Sequence, residues 1–238
     1  MTRYSFKIFC VAFSACFCCA GSLLAEDNNP HTDKMMNEKL NLTQEWDKVF
    51  PKSDKVTHRK VSFRNRYGIM LAADLYMPRN VNGKLPAIAV SGPFGAVKEQ
   101  SAGLYAQTMA ERGFLTIAFD PSYTGESGGF PRYVASPDIN TEDFCAAVDY
   151  LSTRDDVDSE RIGIIGICGW GGMAVNAAAI DTRIKATVTS TMYDMSRVNA
   201  NGYFDAMDAN ARYELRKQLN ARRTDDAKNG SYALAGSV

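Results

Sequence analysis

Arg161-Ile-Gly-Ile-Ile-Gly-Ile-Cys-Gly-Trp-Gly-Gly172 is the stretch that decides the fold of this 238-residue chain. Its first part, Arg161 to Ile167, is an apolar run of the kind that fits a strand covered on both faces of a sheet. Its second part, Gly166-Ile-Cys-Gly-Trp-Gly-Gly172, is a glycine-rich turn, and a small-residue helix is predicted over Gly172 to Ile180. A tight strand-to-helix turn pushes its central side chain out above the sheet edge, which demands small neighbours. Cys168 is that central residue, and its place marks it as a nucleophile, against the usual role of a free cysteine as a buried apolar group. The helix that follows aims its N-terminus at the turn, where it stabilises negative charge. The N–H of Gly169 is a candidate oxyanion donor.

Strands and helices alternate on both sides of this turn. Upstream, Pro86 to Ser91 reads as a short apolar strand, Glu99 to Arg112 as a helix ended by Gly113, and Phe114 to Phe119 as the next strand. Asp120 to Gly129 is a glycine-rich turn, and Asn140 caps a helix through about Leu151 with Glu142 and Asp143 in its first turn. Further upstream, Val61 to Arg64 and Ile69 to Met77 flank the turn Arg66-Tyr67-Gly68 and read as a β-hairpin. Downstream, Ile184 to Met192 is a strand and Ala206 to Arg223 an amphipathic helix. The expected class is α/β: a mostly parallel sheet with an N-terminal antiparallel hairpin and helices on both faces. The domain is read over 56–238, with 200–228 as a lid.

The chain's beginning reads differently. Arg3 and Lys7 precede an apolar run from Ile8 to Ala20, too short to span a bilayer, and Leu23-Leu24-Ala25 offers a small residue for cleavage. Residues 1–25 are therefore a signal peptide, 26–55 a polar leader or linker, and the protein is exported to the periplasm or beyond. Cleavage removes Cys10, Cys16, Cys18 and Cys19 and leaves Cys145 and Cys168, too few for a disulfide framework. Lys plus Arg and Asp plus Glu each number 27 over the whole chain. That balance gives no reason to expect nucleic acid as a partner, and no membrane association is expected after cleavage.

The turn resembles the nucleophile elbow of the α/β-hydrolases, in the cysteine form of the dienelactone hydrolase family and related bacterial hydrolases. Three other stretches carry the resemblance: Ser91-Gly-Pro-Phe-Gly95, Gly95-Ala-Val-Lys-Glu-Gln100 and Asp120-Pro-Ser-Tyr-Thr-Gly-Glu-Ser-Gly-Gly129. Together they run in family order from Val61 to Arg197. The resemblance implies acyl transfer from a small-molecule acyl substrate through the Cys168 thiolate. It assigns the second oxyanion donor to Phe94, because Pro93 has no N–H, and it implies no cofactor. Trp170, Tyr123 and Ser91 are the possible pocket residues. Trp170 departs from the family's small residue, and lines the pocket or shields the helix start.

The family orders its triad nucleophile, acid, histidine. Here His31 and His58 both precede Val61, and the family's last two strands have no counterpart. The sequence therefore reads as C-terminally truncated and impaired, with a degenerate, non-catalytic binding domain as the alternative. A third reading takes Gly169-Trp-Gly171-Gly-Met-Ala174 as a dinucleotide fingerprint, with Asp194 contacting the ribose of NAD in an oxidoreductase. Asp120 reads as a turn cap rather than a catalytic acid. Glu126 and Ser127 read as a solvated loop, and Cys145, spaced with Phe144, Val148 and Leu151, as core. No His/Cys/Asp group has metal-ligand spacing, so no metal is expected.

Overall fold

The computed structural model describes residues 39–234, so the expected signal peptide, the start of the expected leader and His31 lie outside the described residues. Six strands form one sheet: β1 (Val56–Arg64), β2 (Met70–Pro78), β3 (Leu85–Ser91), β4 (Leu115–Phe119), β5 (Val157–Ile167) and β6 (Ile184–Ser190). Their order is β1-β2-β4-β3-β5-β6. β1 pairs antiparallel with β2, and β2 with β4; β4, β3, β5 and β6 are mutually parallel. This is the α/β-hydrolase arrangement that the hairpin and the following β-α alternation predict.

Among the described residues five α-helices follow the strands: α1 (Ser101–Ala110), α2 (Pro137–Ser152), α3 (Gly169–Ile180), α4 (Met195–Asn201) and α5 (Ala209–Asn229). Each face of the sheet has its own core. α1 lays Ala102, Ala106 and Ala110, spaced by four, on Tyr76, Val90, Ala118 and Ile165. Gly103 sits in the same stripe because a Cβ there would meet the carbonyl of Lys98 at 2.4 Å and the Phe50 ring at 3.0 Å. α2 and α3 cover the opposite face with Phe144, Val148, Leu151, Met173 and Ala174 over Leu71, Ile117 and Ile164. Fully burying each such large side chain contributes about 1.5–3 kcal/mol. Cys145 packs beside this core, as its spacing predicts.

The structure moves several boundaries. α2 begins at Pro137 with Ser136 as cap, not at Asn140. Proline suits the first helical position because its missing N–H has no partner to lose. Asn140 lies inside the helix, fully buried, and its side-chain oxygen accepts from the Ser136 N–H at 2.8 Å. The leader contributes to the domain: Phe50 is buried, Trp46 donates to the Phe50 carbonyl at 3.0 Å, and Lys48 reaches Asp74 at 2.8 Å. Among the described residues no helix is long and apolar enough to cross a membrane.

Candidate active site

β3, β4, β5 and β6 end at Ser91, Phe119, Ile167 and Ser190 on one edge of the sheet. The chain passes from β3 outward to β4, then returns to the other side of β3 with β5. Strand order reverses there, and crevices of open α/β sheets form at such switch points. The loop 92–100 after β3 and the turn at Cys168 after β5 bound this one.

Cys168 adopts φ 58°, ψ −129°. For a residue with a Cβ this costs of order 1–3 kcal/mol and persists only where the surroundings impose it. Here its N–H donates to the Ser190 carbonyl at 2.8 Å, and its carbonyl accepts from Gly171 at 3.0 Å and Tyr193 at 3.4 Å. β6 and the segment after it thus fix the turn. The half-buried side chain packs at the border of the α1-side core. A Cβ on Gly166 would stand 2.3 Å from the Trp170 carbonyl, and one on Gly169 would stand 2.0 Å from the Phe94 ring. The Phe94 ring therefore lies directly on Gly169. Among the described residues neither the Phe94 N–H nor the Gly169 N–H donates to an acceptor.

Two clefts meet at Phe94. One, of about 410 Å³, runs past Gly169, Gly172 and Met173 and is walled by Met192 to Asn199. The other, of about 420 Å³, lies between Phe94–Val97, Thr124, Arg132 and Trp170. The wall of the first cleft is thus the segment that precedes 200–228. α5 has no buried residue, and Tyr232 beyond its end meets Phe130 edge-on at 6.5 Å.

The structure packs Phe94 on Gly169, the residue after Cys168; Phe94 and Gly169 line the first cleft, and Cys168 lines neither. Trp170 lines the second cleft but is 3% exposed, its ring packed 5.8 Å from Phe94 and 6.4 Å from Phe144. Tyr123 and Ser91 line neither cleft. Tyr123 packs against Gly129, where a Cβ would be 2.6 Å from its ring. Ser91 is buried, and its hydroxyl donates to the Phe119 carbonyl at 3.4 Å. Asp194 caps α4, accepting from the Arg197 N–H and the Ser196 hydroxyl. The dinucleotide reading gains no support: Asp194 is committed to the α4 cap, and the fingerprint follows the fifth strand rather than the first.

His58 is not at the site. It pairs in register with Tyr76, and the same row continues through Thr116 and Ile88 to Gly163 of β5. Four strand spacings of about 4.8 Å put it about 19 Å from β5 across the sheet. Its Nε2 lies 2.7 Å from Asp74 Oδ1, and its ring packs between Trp46 and Tyr76.

Sequence reasoning misses a buried charge network behind the loop 92–100. Lys98 Nζ lies 2.9 Å from Asp120 Oδ2, 2.5 Å from Glu126 Oε2 and 2.5 Å from Glu99 Oε1. Glu99, Asp120 and Glu126 are close enough together to hold a metal ion. The ammonium of Lys98 already takes the central place, and the three carboxylates answer it. Lys60 reaches Glu126 at 2.7 Å and Asp47 at 2.6 Å, and Lys48 joins Asp74 to Asp47. Burial would lower the Lys98 pKa, but Asp120, Glu126 and Glu99 outweigh it and hold it above the usual lysine value. Burial likewise opposes ionisation of Glu126, yet Lys60 and Lys98 hold its carboxyl below the usual range. Asp120 is raised, because its complete burial exceeds the help of Lys98. Asp120 is the cap the sequence suggests; Ser127 is not solvated but buried, accepting from the Ala72 N–H at 2.8 Å, and Glu126 is partly exposed with its carboxylate held by Lys60 and Lys98.

Residues 67–235 match the family described as X-Pro dipeptidyl-peptidase (S15 family). An uncharacterised Pseudomonas aeruginosa protein, PA2218, is 67% identical over 198 residues, covering 83% of this chain and 53% of its own. The crystal structure of PA2218 superposes with a TM-score of 0.80 over 85% of this chain and 66% of that one, at 63% identity. A thiohydrolase of Aspergillus aculeatus, aneE, is 32% identical over 137 residues, 58% of this chain and 42% of its own. The chain thus spans about half the length of the curated relatives it matches.

Proposed function

Since the chain belongs to the X-Pro dipeptidyl-peptidase (S15) family and has an α/β-hydrolase fold, we propose that it is the nucleophile-bearing part of a cysteine hydrolase for small-molecule esters, lactones or thioesters. The observation that carries this reading is Cys168 at φ 58°, ψ −129° on the switch-point turn, followed by the undonated N–H of Gly169, on which the Phe94 ring packs. Sγ bonds to the acyl carbon, and the carbonyl electron pair moves to oxygen, where the N–H groups of Gly169 and Phe94 meet it. Collapse breaks the bond to the leaving alcohol or thiol, which departs with a proton. Water then cleaves the acyl–sulfur bond and restores the thiol. An amide fits less well, because an amine is a far poorer leaving group than a thiolate unless an acid protonates it. The name of the thiohydrolase relative supports the same choice.

Mapping the chain by mass spectrometry after incubation with an activated thioester tests this. Acylation at Cys168, lost in Cys168→Ala, is the expected result. Labelling at Cys145 overturns it; burial pushes that thiol up to about 11, so it reacts slowly at neutral pH. We place the base and its orienting acid in the part of the relatives' length that this chain does not span. An in-frame extension of the gene bearing Asp and His supports that. Its absence favours a second reading, a binding domain that keeps the clefts, for which the position of His58 is the motive. Export is proposed with it, and a mature N-terminus at Glu26 is the test.

A further inference from the structure

We propose that Lys98 is a positioning residue for the oxyanion hole, holding the Phe94 N–H against the Cys168 turn from inside the sheet. The inference rests on the acyl-transfer reading above and adds a residue to it. Lys98 grips Asp120 twice: its N–H donates to Oδ1 at 2.8 Å and its ammonium to Oδ2 at 2.9 Å. Asp120 cannot move in answer. It is fully buried at the end of β4, its N–H donates to the Ala72 carbonyl at 2.9 Å, and Oδ2 also accepts from the Glu126 N–H at 2.9 Å. A Cβ on Gly125 would stand 2.2 Å from the same carboxylate, so the loop 120–129 closes tightly over it. Lys60 then ties Glu126 to β1.

From this anchor the loop runs back to Phe94 through two bonded turns. The Gln100 N–H donates to the Val97 carbonyl and the Val97 N–H to Gln100 Oε1; the Ala96 N–H donates to the Pro93 carbonyl. These bonds fix Ala96, Val97 and Gln100 and leave the Phe94 N–H, four residues from Lys98, without an acceptor. The loop's far end is set by the Phe94 ring on Gly169. One end therefore fixes depth and the other fixes direction. The N–H of Phe94 and the N–H of Gly169 are referenced to each other through Lys98, Asp120 and the sheet.

The test compares two reagents on the full chain. Iodoacetamide alkylates Cys168 without forming an oxyanion, whereas p-nitrophenyl acetate must form one. In the paired variant Lys98→Met with Asp120→Asn, which leaves no lone buried charge, ester acylation at Cys168 is expected to slow about 10- to 100-fold. Alkylation is expected to stay within about twofold, and hydrogen exchange at the Phe94–Val97 amides to quicken about tenfold. Equal slowing with both reagents, or unchanged exchange with unchanged rates, overturns the proposal. Glu126→Gln removes one partner at a partly exposed position and keeps the fold if the paired variant does not; a smaller shift of the same ester-to-alkylation ratio is expected, and none counts against the inference. If the parent chain is never acylated at Cys168, the nucleophile reading has failed, and exchange at Phe94–Val97 alone decides the positioning.

Discussion

The two flanks of the sheet meet water in opposite ways. At β1 and β2, the side chains of Lys48, Lys60 and Asp74 are fully buried, each answered by an opposite charge. At β6, every residue is partly or fully exposed, and among the described residues no further strand pairs with its outer edge. The Cys168 turn stands between them. Its backbone is held by Ser190 on the open side, and the loop that faces it is held by Lys98 and Asp120 on the sealed side. The difference teaches where local change is felt: substitutions on the sealed flank leave charges without water, and those on the open flank leave them solvated.

Asp120→Ala should show the largest effect. It removes the one fully buried carboxylate of the three around Lys98 and leaves the Lys98 and Glu126 N–H groups without their acceptor, so a cost of about 3–5 kcal/mol is expected. The paired Lys98→Met, Asp120→Asn change should cost much less than the sum of the single changes. Urea unfolding of the three variants measures it; simple additivity would mean that the network is only a set of independent contacts.

Gly166→Ala comes next. A Cβ there meets the Trp170 carbonyl at 2.3 Å, which is backbone and cannot swing aside. Overpacking of this kind costs typically about 1–3 kcal/mol. The same substitution at Gly172, where the nearest atom is 3.7 Å away, should be close to neutral. A pair of thermal melts decides it.

Acid sharpens the comparison at a lower magnitude. Burial pushes Asp47 up, but Lys48 and Lys60 together outweigh it and hold its carboxyl at about 2, against 3.8 ordinarily. A depressed carboxylate stabilises the fold fully above its unfolded value, and that contribution is lost as pH falls through the folded one. The Asp47 contribution should therefore vanish between pH 3.8 and about 2. Asp120 and Asp143 act in the opposite sense, since burial raises both and their protonation relieves it. Asp47→Asn should flatten the fall of urea midpoints across this window, and an unchanged slope would remove Asp47 from the network.

The elbow was legible because its signal is local: four glycines around one cysteine, between an apolar run and a small-residue helix, have few other uses. Phe94 was assigned by resemblance, as the residue after Pro93, which has no N–H, in the stretch Ser91 to Gly95. The network was illegible because Lys60, Asp74, Lys98, Asp120 and Glu126 are scattered in sequence and only the sheet order brings them together. One trace was present: Asp74 is the lone charge inside the apolar strand Met70–Pro78, a position that burial forbids without a partner. Tyr123 and Ser91 were misplaced for a related reason, as both belong to segments that do reach the site edge while their side chains turn into packing.

The smallest effect belongs to the open flank. Val188 lies mid-strand in β6 and is 53% exposed, between a half-buried Thr187 and an exposed Thr189. Val188→Lys should change the stability of the single chain by less than about 0.5 kcal/mol, because little apolar area is recovered or lost there. Its effect should fall on association instead. An unpaired edge offers a row of backbone donors and acceptors to another chain, and a lysine on the edge strand discourages that pairing. Sedimentation of parent and variant at matched concentration separates the two readings. A shift toward monomer with an unchanged melt assigns self-association to the β6 edge. An unchanged sedimentation profile would mean that the edge is not the route, and the contrast between the flanks would then be one of stability alone.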